Sequence, residues 1–364
     1  LDHYDRLVDA LVARGIEPVV TLNHWDMPQD LMKDGGWITR PSVDAFAELA
    51  RAVFDRIGDR VTYWITQNEP WIIALLGYHL GLHAPGIANL RESVQAAHHV
   101  LLGHGVAADI LHESPRARVG AALSLYPCDP ATDTEADHAA ARGSDGYVNR
   151  WFLDPLLAGG YPADMREHYE RAIGSLDFIH SNDEEAIGGR SDFLGVNYYT
   201  RRIMQAAPIT DDQPFPWRVI QSSEDVPRTD LNWEITPDSL QKLLLRLSRD
   251  YPETPLVITE NGAAFGDTPR HDGRIHDVRR QKFLVDHLRA IKNAITQGAD
   301  VRGYLHWSLL DNFEWALGYR PRFGLVYVDY PTGQRTIKDS ARLYSEIVRT
   351  QKLPTRNIEG ELLS

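Results

Sequence analysis

The sequence carries a single cysteine, Cys128, among 364 residues. No intrachain disulfide can form, so the fold must be stable with its thiol reduced, and the cytoplasm is the expected compartment. No stretch approaches the roughly 18 uninterrupted apolar residues that a membrane helix needs. The first fifteen residues hold Asp2, Asp5, Arg6, Asp9 and Arg14 where a secretory leader would need an apolar centre. Basic charge is also in short supply: 38 Lys and Arg against 51 Asp and Glu leave a net charge of −13, spread along the chain. Such a surface repels nucleic acid and anionic lipid, so neither is an expected partner. No G-x-G-x-x-G follows the first β-rich run, Val19-Val20-Thr21-Leu22, which disfavours a dinucleotide cofactor.

Apolar material is plentiful: 43% of the residues are hydrophobic and 24% charged, enough for a sizeable core. Its spacing switches repeatedly between helix-like and strand-like. Leu7, Val8 and Leu11 precede a helix stop at Gly15 and the strand at 19–22; Phe46, Leu49, Ala50, Val53, Phe54 and Ile57 precede Gly58 and a second run at 61–66. Further strands are expected at 118–125, 192–199, 256–259 and 301–307, between helices such as that of Leu240, Leu243, Leu244 and Leu247. Alternating βα units imply a parallel sheet, doubly wound or closed into a barrel, with reactive groups at the carboxyl ends of the strands. The connection from Thr200 to Trp233 has no periodicity and reads as a functional loop. No internal domain boundary stands out, so residues 1–364 form one expected domain.

The residues just beyond these runs carry the chemistry. His24-Trp25-Asp26 follows the first strand, Asn68-Glu69-Pro70 the second and Glu260-Asn261-Gly262 the fifth; Asn197-Tyr198-Tyr199 ends the fourth and Trp307-Ser308 the sixth. On parallel strands all of them converge on one face. Two carboxylates among amides, imidazole and indole rings make a poor metal site but a good sugar site, because sugars offer hydroxyls at their edges and C–H groups on their faces. Glycosidic cleavage needs two opposed carboxyl groups, which makes Glu69 and Glu260 the candidate pair. The bland alternative is a helix-capping or surface-paired Glu at each place. Their joint occurrence with five aromatic or amide clusters weighs against it.

Four segments closely resemble glycoside hydrolase family 1: 21–28 (TLNHWDMP), 66–70 (TQNEP), 258–262 (ITENG) and 307–315 (WSLLDNFEW). The resemblance runs from Leu1 to about Leu353 and implies a (β/α)8 TIM barrel with retaining β-glucosidase activity. It implies Glu69 as acid/base and Glu260 as nucleophile, with Asn68 on the sugar's 2-hydroxyl. His24, Glu314 and Trp315 would grip the hydroxyls furthest from the scissile bond, and Trp307 would floor the ring. Asn197 and Tyr199 match residues near the nucleophile, the phenol bonding its carboxylate. Trp233 is either the aromatic of the leaving-group side or a loop anchor. Gln67 departs from the family, which usually has Phe there. The Glu314-Trp315 pair favours unphosphorylated β-glucosides, with galactosides and fucosides open, since relatives acting on 6-phosphorylated sugars usually replace it. No cofactor or metal is implied.

Three further features have plainer readings. His98, His99 and His104 are expected to be helix-surface or packing histidines, because adjacent His98 and His99 cannot face one ligand. The acidic stretch 129–137 lacks calcium-loop spacing and reads as a solvated connection. Cys128 has no evident base partner and is expected to be inert. The chain opens on Leu1, and only six of the eight strands of such a barrel can be found, the first preceded by what resembles the family's second helix. The expectation is therefore a barrel lacking its first two βα units, with no counterpart to the family's sugar-binding Gln or to the Arg that supports its nucleophile. A homo-oligomer covering the open side, or a weakly active or inactive sugar-binding barrel, is the accompanying alternative.

Overall fold

The computed structural model describes residues 1–210 and 215–363. Helices form where apolar residues recur on one face. Pro41–Ile57 opens on a proline, whose fixed φ suits the first helical turn, and buries Val43, Phe46, Ala50 and Ile57. Pro237–Asp250 buries Leu240, Leu243, Leu244 and Leu247 in the same way. The helix Leu90–Leu111 begins with a reciprocal cap: Asn89 accepts from the Glu92 backbone N–H and its amide donates to the Glu92 carboxylate.

In chain order the strands are β1 (Val19–Asn23), β2 (Tyr63–Asn68), β3 (Arg118–Ser124), β4 (Cys128–Pro130), β5 (Phe193–Asn197), β6 (Arg202–Ala206), β7 (Trp217–Ile220), β8 (Leu256–Glu260), β9 (Val301–Tyr304), β10 (Val326–Asp329) and β11 (Gln334–Ile337). Six of them make one sheet in the order β1-β2-β3-β5-β8-β9, every neighbouring pair parallel. The spatial order never reverses along the chain. That is the winding of a (β/α) barrel wall, whereas a doubly wound sheet reverses at a switch point. These six are the expected strands with their ends adjusted; the run at 61–66 shifts to Tyr63–Asn68, and the last strand stops at Tyr304 instead of 307.

Two expectations are corrected. The connection from Thr200 to Trp233 contains the antiparallel pair β6–β7, joined by β4 into a second sheet; its residues 211–214 lie outside the described ones. Both strands are short and mix polar with apolar residues, so no alternation betrays them, yet Met204 and Trp217 are buried. The acidic stretch 129–137 is not a solvated connection throughout: β4 pairs with β6, and the buried Asp137 carboxylate accepts the Ala206 N–H at 2.8 Å.

Interior and edge strands differ in burial. β5 is buried along its whole length and β3 beyond its first residue, whereas β1 and β9 are mostly half-exposed and each pairs with one neighbour among the described residues. The principal core, with Trp71, Leu101, Trp151, Leu194, Leu244 and Leu256, lies between the interior strands and the helices outside them. Among the described residues no helix is long and apolar enough to cross a membrane.

Candidate active site

The carboxyl ends of the parallel strands meet around a cavity of about 210 Å³. His24, Trp25, Glu69, Tyr199, Trp233, Glu260, Trp307, Glu314 and Trp315 line it, so most of the side chains expected from the sequence do converge. Asn68 and Asn197 stand immediately behind this wall. Ser124 and Tyr126 line it as well. The sequence reading missed them, although Ser124 ends β3 and Tyr126 lies just beyond it, as Asn197 ends β5 and Glu69 lies just beyond β2; their place in the alternation was the available signal.

Two strands are irregular where they deliver these groups. The β2–β3 pairing slips between Ile65 and Asn68, and the β5–β8 pairing slips at Val196/Asn197. Such bulges re-aim side chains beside a site. Glu69 follows with φ 49°, while Trp25 (φ 82°) and Trp315 (φ 45°) also occupy the left-handed region that non-glycine residues avoid. The surroundings fix them: the Glu69 N–H bonds to Ala122 O at 2.7 Å, and the Trp25 indole donates to Asn68 O at 3.0 Å.

The polar groups form one network. The Asn197 amide donates to Glu69 Oε1 at 2.8 Å and to Asn68 Oδ1 at 3.1 Å, and accepts from the Thr259 hydroxyl at 2.6 Å. Asn68 Nδ2 lies 3.2 Å from His24 Nε2. Burial lowers the His24 pKa to about 4, so its ring is neutral and accepts that amide hydrogen. The Tyr199 phenol donates to Glu260 Oε2 at 2.6 Å. Gln67, the departure from the family pattern, accepts from Asn23 Nδ2 at 2.6 Å across β1 and β2, away from the cavity.

The rings divide the cavity. His24 stacks with Trp307 and Trp315 at 5.7 and 6.1 Å between centroids, and Trp25 meets Trp315 at 4.6 Å. On the other side Trp233 packs near Tyr199 and Phe323 while still facing the cavity, so it anchors the loop and lines the site together.

Three carboxyl groups share this space, and among the described residues no cation pairs with any of them. Burial pushes Glu69 up to about 7 against the pull of the Asn197 and Ser124 hydrogen bonds. Burial alone pushes Glu314 to about 7. Glu260 is raised by burial and by the Glu69 charge, with the Tyr199 phenol drawing it back. One proton shared by Glu69 and Glu260 relieves their repulsion.

The other candidates have structural employment. His98 is buried against Tyr161 Oη and the Asp183 carboxylate, His99 bonds to Trp37 O, and His104 bonds to the Thr66 hydroxyl. They are packing histidines. The Cys128 thiol is pushed up to about 12 by burial and rests near Ser144 Oγ, a poor setting for a nucleophile.

A parallel sheet of barrel winding that gathers two buried carboxyls, amides and a wall of indoles at its carboxyl ends defines a glycoside-cleaving enzyme. The comparison with known proteins gives the family: the glycosyl hydrolase family 1 model matches residues 1–353, and the chain belongs to that family. Its fold class is accordingly the (β/α)8 barrel, of which the described residues supply six strands. Beta-glucosidase A of Acetivibrio thermocellus is 41% identical over 350 residues, covering 96% of this chain and 78% of that protein. The thermostable beta-glucosidase B of Thermobispora bispora is 45% identical, covering 97% of this chain and 72% of that protein. The solved GH1 beta-glucosidase of Exiguobacterium antarcticum superposes with TM-score 0.91 at 42% identity, over 96% of this chain and 78% of that one.

Gly262 shows how tightly the site is assembled. A Cβ there would stand 1.8 Å from the Trp307 carbonyl oxygen, while the Trp307 N–H bonds to Asn261 O at 3.0 Å. Gly262→Ala must push the Glu260 segment and the Trp307 segment apart, and should destabilise the fold by about 1–3 kcal/mol. Urea unfolding measures this; an unchanged midpoint would mean that the two segments part without cost.

Proposed function

We propose that this chain is a retaining β-glycosidase acting on unphosphorylated β-D-glucosides, with Glu69 as acid/base and Glu260 as nucleophile. The observation that carries the reading is the pair of buried carboxyls in one aromatic-walled cavity, each held by its own hydrogen bond. Relatives named as beta-glucosidases support the substrate class, and the Bifidobacterium breve relative named as a bifunctional beta-D-glucosidase/beta-D-fucosidase supports tolerance at the far hydroxyls. The solved complex of the Thermotoga maritima beta-glucosidase with glucoimidazole supports a glucose-shaped pocket.

In the first step Glu260 attacks the anomeric carbon while Glu69 gives its proton to the departing oxygen. Glu260 is then a glycosyl ester and its charge is gone. Glu69, left as a carboxylate by that transfer and no longer facing the Glu260 charge, stays ionised and takes a proton from the incoming water, which opens the ester, returns Glu260 as a carboxylate and leaves Glu69 protonated again. Asn68 holds the 2-hydroxyl, His24, Glu314 and Trp315 the far hydroxyls, Trp307 the face of the ring and Trp233 the leaving group. An alcohol in place of water gives transglycosylation. A purely sugar-binding protein is not favoured, because both carboxyls, the Asn197 amide and the Tyr199 phenol are in place. The single cysteine supports a cytoplasmic site of action.

Glu260→Gly should abolish turnover of aryl β-glucosides, and azide or formate should restore glycosyl transfer with inverted stereochemistry; full activity without rescue would remove Glu260 from this role. Glu69→Gln should slow a poor leaving group by on the order of a hundredfold and spare a good one, since only the poor one needs a proton. Equal losses would tell against Glu69.

The pH profile follows from the same two groups. Glu69 must be protonated, and its pKa of about 7 makes activity fall as pH rises through that value. Glu260 must be ionised, and its raised pKa makes activity fall on the acid side. The expected kcat/KM profile falls on both sides with its alkaline limb near pH 7, and Glu69→Gln should erase that limb; a limb that persists would belong to another group.

We also propose that a second copy of the chain covers the side left open between β1 and β9. Each edge strand is half-exposed, and an apolar hollow of about 400 Å³ lined by Leu7, Leu11, Val20, Leu22 and Val53 opens beside β1. Light scattering should find a particle heavier than the 41.1 kDa chain. A stable monomer would overturn this proposal and leave the catalytic one standing.

A further inference from the structure

Trp315 packs on His24 and Trp25, but the segment that carries it and Glu314 has no fully buried apolar side chain. Leu309, Phe313, Leu317 and Tyr319 are all exposed, the first at 68%. The segment's backbone pairs with β10, the Asp311 N–H donating to Val326 O at 3.0 Å and the Val326 N–H to Leu309 O at 2.9 Å, and its buried side-chain anchor is Asp311, exposed at 3%. Its carboxylate accepts from Arg322 Nη1 at 2.7 Å, from the Gly324 N–H at 2.9 Å and from Lys338 Nζ at 3.0 Å.

Lys338 is fully buried and sits just before the helix Asp339–Thr350, outside the cavity. Its ammonium also bonds to Asp267, on the segment that leaves β8 beyond Glu260. Asp267 is gripped in turn by Arg280, whose other amino group lies 3.4 Å from Asp277; Arg280 also donates to Arg322 O at 2.6 Å. Three cations, Lys338, Arg280 and Arg322, thus balance three carboxylates, Asp267, Asp277 and Asp311. A buried network of this kind is a weak source of stability compared with apolar packing, and its best use is to specify one arrangement of the parts it joins.

We propose that Lys338 is a positioning residue for sugar recognition: by tying Asp311 to Asp267 it holds the Glu314–Trp315 grip in line with the Glu260 carboxylate. This rests on the glycosidase reading above, in which that grip takes the hydroxyls furthest from the scissile bond. Discrimination at the far end of the sugar is then set partly by an ammonium that never meets the sugar.

The test compares an aryl β-glucoside with its 6-deoxy counterpart in the wild type, Lys338→Met, Lys338→Arg and Asp311→Asn. In Lys338→Met the glucoside should lose about tenfold or more in kcat/KM while the 6-deoxy sugar loses only about threefold or less, because it lacks a hydroxyl for the grip to hold. Lys338→Arg, which keeps the cation, should recover most of the preference. Asp311→Asn keeps the shape and, with its oxygen at the Oδ1 place, the Gly324 bond, but removes the charge that holds Lys338 and turns an amide nitrogen toward Arg322, so it should show the same selective loss; it carries the test if Lys338→Met does not fold. Adding Lys338→Met to Asp311→Asn should then cost little more, as for two ends of one interaction. Equal losses on both sugars, or an unchanged preference in a folded variant, would overturn the proposal. Failure of the wild type to cleave either sugar would instead overturn the glycosidase reading.

Discussion

The Asn197 amide is the joint of this molecule. It has no exposed surface, and it reaches from β5 to Glu69 and Asn68 at the end of β2 and to Thr259 on β8. Both ends of the amide are committed: the oxygen to a hydroxyl that donates, the nitrogen to two oxygens that accept. A buried amide with this many partners cannot flip or drift without leaving polar groups unsatisfied, each costing about 1–3 kcal/mol. The positions of Glu69, Asn68 and, through Asn68, His24 are therefore consequences of where β5 lies between β3 and β8.

That joint explains why the site tolerates local strain. Glu69, Trp25 and Trp315 hold positive φ angles that would cost on the order of 1–3 kcal/mol each in an isolated peptide. Each is over-determined by neighbours: Glu69 by Ala122 O and Asn197, Trp25 by Asn68 O and by the Trp315 ring, Trp315 by its stacking on His24. Strain and restraint occur at the same residues, as expected where side-chain direction matters more than local comfort.

The parallel strands and the groups at their ends were legible because both follow from local pattern. A β-rich apolar run predicts a strand, and parallel strands bring the residues that follow each run to one face, so His24, Glu69, Tyr199, Glu260 and Trp307 could be gathered before any coordinates. What escaped depends on pairing across the chain. β6 and β7 have no alternation of their own and exist because Met204 and Trp217 find a buried place beside β4 and the helix Glu135–Asp145. The Lys338–Asp267–Asp311 tie joins segments far apart in sequence, and nothing near Lys338 marks it as buried. His98 and His104 look like ligands on paper; their partners Tyr161, Asp183 and Thr66 appear only when the helix Leu90–Leu111 is packed.

The electrostatics of the pair follow from the same burial. Taking two carboxyls out of water raises both, so burial by itself does not choose which is acid and which is nucleophile. With no cation paired to either among the described residues, the choice falls to hydrogen bonds. The Tyr199 O–H at 2.6 Å from Glu260 is a short, charge-seeking donor. The Asn197 N–H on Glu69 is a neutral amide already shared with Asn68. In the roles proposed above, the Tyr199 donor is what favours the charge on Glu260 and leaves the proton on Glu69. Glu314 adds a third carboxyl whose charge raises both, and a sugar hydroxyl donating to Glu314 would stabilise that charge against the burial that opposes it. In the proposed roles, binding at the far end of the sugar and proton placement at the scissile bond are coupled through that shared field, which would make the position of the Glu314 segment bear on the chemistry at Glu69 as well as on recognition.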